Sequence, residues 1–527
     1  MKKDFKKYLV ILALGTSLLG VQSCTNKLDL EPENTTTSDV VFSTMEGYRS
    51  SLAKLYISMA TEGNIPSQIV NDGGNTGLLR QFFNLQCITT DEAAWTFTGN
   101  TDPIGLHQFT WNGSTQAVAG AYYKSYYVIT ICNNYLQEST EAKLTSRGFS
   151  ETDKATIRNY RAEARFIRAF CYWVLDDLFG NVPFADETLV FGSGVLPQQI
   201  KRADLTNWLI TELQDLQTNM VAAKTNEYGR ADKAAAQALL ARIYLNAEVY
   251  TGTAKYTEAM NAAQSVIDAG YTLHPNYKEL MLGDNHLNTD ENIWTLQFDG
   301  LKTQSYSGTT FLVHGPAGVT GDSSGSNGTW NCMRMTEQFV DKFNSLDIRG
   351  QFWTSTQQKN MDLLLGNEAI THGYSSTKFR NKNRNGGLAP DYDATFASID
   401  FPVFRTAEMY LIYAEAVARG ASGGNSTTAL NYLKALAQRA RPNDANAANV
   451  PTLTLPYIID ERGRELFWEG SRRTDLVRFG QFTTASYLWS WKGNVRNGRA
   501  VDSKYNLFPL PVTDISSNSN LVQNPGY

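Results

Sequence analysis

The chain has 527 residues, of which 12% are aromatic and 19% charged, and its formal net charge at pH 7 is −5. This acidic balance excludes a typical nucleic-acid-binding protein, because neutralising phosphates requires clustered lysine and arginine. The length is sufficient for a large core, and the abundance of aromatic residues indicates that some of them lie on a recognition surface.

The first 23 residues have the pattern of an export signal. Four lysines precede an apolar run of about 14 residues, whereas a membrane span needs about 20. Ser23 and Cys24 follow, as in signals cleaved ahead of a cysteine that is then lipidated, although Gln22 is not the small residue most often found at its position. We predict a signal peptide over residues 1–23, a lipid-modified Cys24 and a polar tether over residues 24–40. A plain secretory signal with an incidental cysteine is the alternative.

Helical periodicity dominates residues 41–270. In "TIRNYRAEARFIRAFCYWVLDDLFGNVP" apolar residues recur at the 3.6-residue period, and Gly180 is the expected C-terminal cap. Small residues line both helices of two further pairs, one over residues 229–275 with a turn at 251–253, the other over residues 404–442. Facing stripes of small residues allow close helix packing, which is typical of tetratricopeptide hairpins.

Residues 271–400 are rich in Gly, Ser, Asn and Thr with scattered aromatics, and they contain at most short strands such as "NIWTLQFDG". Binding residues commonly lie on such irregular insertions. We predict an all-α dominated fold of tetratricopeptide-like hairpins, with a long loop-rich insertion forming the ligand face and few short strands. Residues 41–270 and 271–527 are expected to belong to one globular body.

Four cysteines follow Cys24, at Cys87, Cys132, Cys171 and Cys332, and none forms a CxxC pair. We interpret them as buried thiols, with disulfides in one of three pairings as the alternative. The five histidines fit no zinc motif. "DYDAT" at residues 391–395 begins like a calcium loop but lacks its Gly and Glu, so a structural calcium ion is the only cofactor that the sequence leaves open.

Two motifs permit a catalytic interpretation. "GDSSG" at residues 321–325 matches G-x-S-x-G and lies near His314, but its flanks are loop sequence, not the strand and helix of a nucleophile elbow. Glu461, Glu465 and Glu469 share a helix face, as paired glycosidase carboxylates would. They alternate with Arg464, Arg472 and Arg473, so we interpret this block as an ion-pair network and predict that the protein is not an enzyme.

Six segments together resemble the SusD/RagB family of outer-membrane lipoproteins from Bacteroidota. They are "SCTNKLDLEP", "TTDEAAW", "RAEARFIRAFCYWVLDDLFGNVPFADE", "RTAEMYLIYAEAVARG", "ERGRELFWEGSRRTDLVRFG" and "YNLFPLPVTDISSNSNLVQNPGY". The resemblance implies a helical body with about four tetratricopeptide-like units. It also implies a lipid-anchored, outward-facing, non-catalytic glycan-binding protein that partners a SusC-like TonB-dependent transporter in the outer membrane.

Glycan binding requires flat aromatic faces together with polar side chains that hydrogen-bond hydroxyl groups. Two segments combine these features. The first supplies Arg80, Trp95, Phe97, Asn100 and Asp102. The second supplies Tyr306, Trp330 and Asn331. The last two lie within "TWNCMRMTEQF", which resembles the family's Gly-Trp-Asn-Gly block with Cys332 in place of the last glycine. Each aromatic has packing as its alternative role, and Trp489 and Trp491 are expected to contact either ligand or transporter.

Three other functions remain open at this point. A peptide-binding member of the same family would have a more acidic and less aromatic pocket, and the tryptophans favour sugar over peptide. A surface hydrolase would use Ser323 or Glu465. A purely structural lid for the transporter would bind no ligand.

Overall fold

A computed structural model describes residues 38–65, 73–97, 102–189, 194–363, 370–390, 393–450 and 452–527. The predicted signal peptide, Cys24 and most of the tether lie outside these residues. The last residues of the tether, from Ser38, belong to a short helix. Arg49–Tyr527 forms one compact unit, and the described residues before it are grouped separately.

Helices are the predominant secondary structure of the described residues, which confirms the predicted fold class. They are α1 (Ser38–Val41), α2 (Met45–Ala60), α3 (Leu78–Phe83), α4 (Asp102–Gln108), α5 (Gln116–Glu138), α6 (Glu141–Ser146), α7 (Glu151–Phe179), α8 (Arg202–Asn219), α9 (Lys233–Thr251), α10 (Tyr256–Asp268), α11 (Gly308–His314), α12 (Gly321–Ser324), α13 (Glu337–Val340), α14 (Thr406–Ala418), α15 (Ser426–Ala440), α16 (Leu455–Leu466), α17 (Arg472–Arg478) and α18 (Val512–Ser517). None of the described helices is long and apolar enough to cross a membrane.

The long helices pack largely in chain order. Helix α5 packs on α7, α7 on α8, α8 on α9, α9 on α10, and α10 on α14, which pairs with α15. The two predicted hairpins are therefore α9–α10 and α14–α15. Asp232 caps α9 by accepting hydrogen bonds from the N–H groups of Ala234 and Ala235. Gly252 ends it with φ 77°, which confirms the predicted turn. Gly180 likewise ends α7, with φ 73°.

The strands are short and form antiparallel pairs. They are β1 (Ala94–Trp95), β2 (Val182–Phe184), β3 (Gln198–Ile200), β4 (Asn292–Leu296), β5 (Met333–Arg334), β6 (Phe352–Trp353), β7 (Ser375–Ser376) and β8 (Phe401–Arg405). The pairs are β1–β5, β2–β3, β4–β8 and β6–β7. Strand β4 lies in the predicted "NIWTLQFDG" segment. Because β4 pairs with β8, the two ends of most of the insertion are held together.

A buried ionic cluster joins the insertion to the C-terminal helices. Its carboxylates are Glu291, Asp347, Glu461, Glu465 and Glu469, and its cations are Arg349, Lys378, Arg405, Arg439 and Arg464. Within this cluster, the carboxylate of Glu465 contacts three of the arginines. The predicted ion-pair network is therefore confirmed, although most of its cations come from other parts of the chain.

Two of the segments that carried the family resemblance meet in the interior. Asp91 of "TTDEAAW" pairs with Arg472 at 2.7 Å, and the carboxylate of Glu92 accepts a hydrogen bond from the Trp468 backbone N–H at 3.0 Å. The expectation that Arg473 belongs to the ion-pair network is wrong. Its guanidinium donates to the carbonyl oxygen of Asn506 at 2.7 Å instead of to a carboxylate.

Cys87, Cys132, Cys171 and Cys332 are buried free thiols in the structure. Burial raises the pKa of the first three thiols. This is the arrangement expected of small apolar core residues and not of reactive cysteines.

Candidate ligand-binding site

Three aromatic side chains from separate loops of the insertion form a partly exposed surface, which we call the aromatic face: Tyr306, Trp330 and Phe396. The Tyr306 ring centroid lies 6.5 Å from that of Trp330 and 5.1 Å from that of Phe396. Tyr306 is 46% exposed, and the other two are half-buried. Aromatic faces at the surface of a loop region are the feature on which sugar rings stack.

Trp330 is held in place by His314. The two rings stack with centroids 4.8 Å apart and an angle of 15° between their planes. The ring nitrogens of His314 lie 2.6 Å from the Gly328 carbonyl oxygen and 2.8 Å from that of Thr395. His314, at the end of α11, therefore connects the loop of Gly328 and Trp330 to the loop of Thr395 and supports the tryptophan.

Arg80 brings a positive charge to the same cluster. It lies on α3, is 4% exposed, and its guanidinium carbon is 4.4 Å from the Phe311 ring centroid and 6.0 Å from that of Trp330. Both distances are within the range of cation–π attraction. Gly74 makes room for Arg80, because a Cβ atom there would lie 2.1 Å from Nη1 of the arginine. The structure thus brings together Arg80 and Trp330, which come from the two predicted segments, and their contact with a ligand stays a prediction.

Trp95 lies in the interior behind this face. It is 2% exposed, its indole stacks on Phe311 with centroids 6.3 Å apart, and its Nε1 donates to the Phe97 carbonyl oxygen at 3.0 Å. Phe311 also contacts Trp330, so the two predicted segments meet at this phenylalanine. The role of Trp95 as a ligand contact stays a prediction, and its burial favours packing.

The polar residues predicted for the site have local roles in this structure. The Asp102 carboxylate accepts hydrogen bonds from the N–H groups of Gln116, at 2.9 Å, and Ala117, and burial raises the pKa of this carboxyl group. The side-chain oxygen of Asn331 accepts from the Gly318 N–H at 2.7 Å. Phe97 is half-buried, and Asn100 lies outside the described residues. Ligand contacts by these residues also remain predictions.

The geometry gives no support to a hydrolase. Ser323 lies on α12, while both ring nitrogens of His314 face backbone carbonyl oxygens elsewhere. Glu465 is fully paired with arginines inside the protein. Neither group has the arrangement that nucleophilic or acid–base catalysis requires.

The calcium-like motif lies only partly within the described residues. Within them, no group of three or more His, Cys, Asp or Glu side chains could hold a metal ion. Residues 391–392 of the calcium-like motif lie outside the described part, so the structural calcium remains a prediction.

The tryptophans near the C-terminus lie in the interior. Trp489 is 0% and Trp491 5% exposed, and the Trp491 indole nitrogen donates to the Met361 carbonyl oxygen at 3.3 Å. Their burial favours a packing role over contact with ligand or transporter.

Sequence reasoning missed two aromatics of this site. Phe311 and Phe396 lie in "GTTFLVHG" and "DATFASID", where no residue pattern distinguishes a site residue from a core residue. In the sequence, the position of His314 near "GDSSG" suggests only a partner for Ser323. These contributions become visible only when the loops are placed in space.

Comparisons with known proteins cover the whole chain. A family model described as "SusD family" matches residues 354–527, and another described as "Starch-binding associating with outer membrane" matches residues 28–245. The chain is 35% identical to the starch-binding protein SusD of Bacteroides thetaiotaomicron, with 100% of both chains covered. It is 24% identical to the SusD-like protein P2 of Formosa agariphila, with 80% of this chain and 83% of that protein covered.

Solved structures show the same fold. Surface glycan-binding protein A from Bacteroides fluxus superposes with a TM-score of 0.71 at 21% identity, covering 92% of this chain and 100% of that chain. Surface glycan-binding protein A from Bacteroides thetaiotaomicron, in complex with laminarihexaose, has a TM-score of 0.69 at 18% identity, covering 91% of this chain and 99% of that chain.

Proposed function

This chain belongs to the SusD family, and on that premise we propose that it is a cell-surface lipoprotein of the outer membrane that binds oligo- or polysaccharides without cleaving them. Full-length similarity to a starch-binding protein supports glycan as the ligand class. The description of the family model that matches the N-terminal half supports association with the outer membrane. The lipid anchor at Cys24, the outward orientation and the SusC-like TonB-dependent transporter as partner belong to this proposal.

The observation that carries the proposal is the aromatic face. Tyr306 and Trp330 present rings at an angle of 49° to each other, so two successive sugar units of a curved chain would each find a flat surface. Aromatic rings attract the C–H faces of sugars and also exclude water from them. The exposed Asn327 and the half-buried Thr329 beside Trp330 offer groups that can bond hydroxyls at the edge of this surface.

A binding assay with single substitutions tests the proposal. Affinity electrophoresis or calorimetry with amylopectin, laminarin and other polysaccharides should identify a ligand for the mature protein. Trp330→Ala removes one ring of the aromatic face and should weaken binding by about 2 kcal/mol, or roughly 30-fold, as expected of an aromatic anchor. Trp353→Ala is the matched control, because Trp353 is also half-buried but lies on β6, outside the aromatic face. Equal losses for the two variants would contradict a role for the aromatic face.

The location has its own test. Cys24→Ala should move the protein from the membrane fraction to the soluble fraction, and protease added to whole cells should degrade the wild-type protein if it faces outward. Co-purification with the transporter would support the partnership. Retention of the Cys24→Ala protein in the membrane after the transporter gene is deleted would contradict the lipid anchor.

A further inference from the structure

A cleft of about 400 Å³ opens on the loop-rich insertion. Its walls come from three parts of the chain: residues 345–352, residues 377–380 and Lys278. None of the residues that line it belongs to the aromatic face. We call it the basic cleft, because the unpaired charges of its lining residues are positive. Its volume lies within the range of small-molecule sites.

Backbone hydrogen bonds fix the walls of the basic cleft. The Thr377 N–H donates to the Gln351 carbonyl oxygen at 2.8 Å, which ties two of the wall segments to each other. The Arg380 N–H donates to the Met281 carbonyl oxygen at 3.2 Å, which ties one of these segments to the chain that follows Lys278. The cleft is therefore a preformed feature of the fold.

Arg380 is the more enclosed of the two cations of the basic cleft. The residue is half-buried, and burial lowers the pKa of its guanidinium. Its Nε is buried without a hydrogen-bond partner, and the guanidinium forms no ion pair with a carboxylate of the described residues. Only Nε among its side-chain nitrogens is enclosed in this way, so the terminal Nη1 and Nη2 can meet a ligand in the cleft. Such a guanidinium is suited to bind a carboxylate through two parallel hydrogen bonds.

Lys278 is the second cation. It is exposed, and its short helical turn is fixed by the Asn276 side chain, which accepts from the Lys278 N–H at 3.2 Å. The ammonium group forms no ion pair within the described part of the chain. Asp347 is the one carboxylate among the lining residues, and Arg349 already contacts both of its oxygens, at 2.9 and 2.7 Å. The cleft thus offers two uncompensated positive charges to a ligand.

The rest of the lining is aromatic and neutral. The ring of Phe352 is half-buried and is held in place by an edge-on contact with Phe343, at a centroid distance of 5.1 Å. Ser345, Gln351 and Thr377 add hydroxyl and amide groups. A flat ring, neutral hydrogen-bonding groups and cations together match a sugar that carries a carboxylate. An acidic peptide would need only the cations, so the lining favours a sugar.

We propose that the basic cleft binds an acidic sugar unit, namely a uronate of an oligo- or polysaccharide. The carboxylate pairs with the Arg380 guanidinium and the Lys278 ammonium group, and the sugar ring lies against Phe352. That the ligand is a glycan rests on the proposed function, whereas the location does not, because the cleft and the aromatic face share no residue. A glycan with both neutral and acidic units would occupy both sites and be held more tightly than by either one.

The experiment starts from a Tyr306→Ala/Trp330→Ala double variant, which lacks two rings of the aromatic face. NMR titrations measure its binding of the methyl glycosides of glucuronic and galacturonic acid. The methyl glycosides of glucose and galactose are the neutral counterparts. One uronide should bind about tenfold or more tighter than its neutral counterpart, because hydrogen bonds between charged groups are stronger than neutral ones.

Further substitutions in this background locate the site. Arg380→Gln and Lys278→Gln should each weaken uronide binding by about tenfold and leave the binding of the neutral glycosides unchanged. The matched control is Lys54→Gln/Arg499→Gln, which removes two exposed positive charges outside the cleft and should leave uronide binding unchanged. Thermal unfolding confirms that each variant is folded, and Lys278→Gln, at an exposed position, gives a second readout if Arg380→Gln disturbs the fold.

The outcomes separate this inference from the proposed function. If neither uronide binds more tightly than its neutral counterpart, the inference is refuted, and binding of a neutral polysaccharide by the wild type leaves the aromatic face standing. Equal losses for the control and the cleft variants would show general charge attraction and refute the site. If acetate or a blocked glutamate dipeptide displaces the uronide at the same concentration, the cleft is not a sugar site. If the wild type binds the uronide but no polysaccharide, the role of the aromatic face fails and the cleft stands.

Discussion

Replacing Glu465 with Gln is the most direct test of the buried ionic cluster. Glu465 is 0% exposed, and its carboxylate contacts Arg405 at 2.6 Å, Arg349 at 3.0 Å and also Arg439. The cluster as defined above has equal numbers of carboxylates and cations. The substitution keeps the shape of the side chain but leaves one positive charge without compensation inside the protein.

The expected loss of stability is large. Removing one partner from a buried ion pair costs about 3–5 kcal/mol, because the remaining charge stays desolvated. An unfolding entropy of about 2.1 cal/mol/K per residue gives about 1 kcal/mol/K for the roughly 480 residues of the compact unit. The midpoint temperature of Glu465→Gln should therefore fall by about 3–5 °C relative to wild type.

Differential scanning calorimetry at pH 7 measures this shift. Glu258→Gln is the matched control, since Glu258 lies on α10 in a partly exposed pair with Lys255 and should change the free energy of unfolding by less than about 0.5 kcal/mol. A double variant, Glu465→Gln with Arg439→Gln, also removes the uncompensated positive charge and should recover part of the stability that Glu465→Gln loses. The reasoning is refuted if Glu465→Gln unfolds at the same temperature as Glu258→Gln.

At acidic pH, the difference in free energy of unfolding between Glu465→Gln and wild type should become smaller. The three arginines hold the pKa of Glu465 below its ordinary value of 4.5, although burial acts in the opposite direction. A carboxyl group with a lowered pKa in the folded state contributes stability above its unfolded-state pKa, and that contribution is lost as the pH falls through the folded-state pKa. The difference in free energy of unfolding between the two proteins should thus be constant from pH 7 to about pH 5 and decrease below pH 4.5.

Two further predictions concern other buried groups. Burial raises the pKa of the Glu92 carboxyl group from 4.5 to about 8, so the folded state binds the carboxyl proton more tightly and the free energy of unfolding falls as the pH rises from 4.5 to 8. Glu92→Gln should therefore gain stability relative to wild type over that pH range, by up to roughly 4 kcal/mol in urea unfolding. A stability difference between the two proteins that does not vary with pH would contradict this prediction. In a Cys24→Ala chain, the four buried thiols should not react with Ellman's reagent until guanidinium is added, when four equivalents should appear; two or none would reveal disulfides.

The regular parts of the fold follow from local patterns. The stripes of small residues on α9 and α10 and the turn at Gly252 depend on local sequence, so their positions could be predicted from the sequence. The ion-pair block was predictable as a block because three carboxylates alternate with arginines. Arg464 does pair with Glu461, but the arginines that contact Glu465, namely Arg349, Arg405 and Arg439, could not be predicted because they lie far away along the chain.

For the candidate site too, the sequence indicates which residues are available, and the structure shows where they lie. Tyr306 and Trp330 could be selected as aromatics in a loop-rich segment, and the structure places them on one surface. The side chain of Trp95 was selected on the same grounds but is buried against Phe311. Aromatic residues look alike in sequence whether they pack or bind, since both roles use the same apolar surface.

The sequence by itself determined the family, the helical scaffold, the predicted export signal and the residue types available for binding. Only the tertiary structure decided which aromatics reach the surface, that His314 supports Trp330, and which distant arginines pair with Glu465. The reason is physical: helical periodicity and capping depend on neighbours within a few residues. Exposure and hydrogen-bond satisfaction, by contrast, depend on atoms that loops bring together from distant parts of the chain.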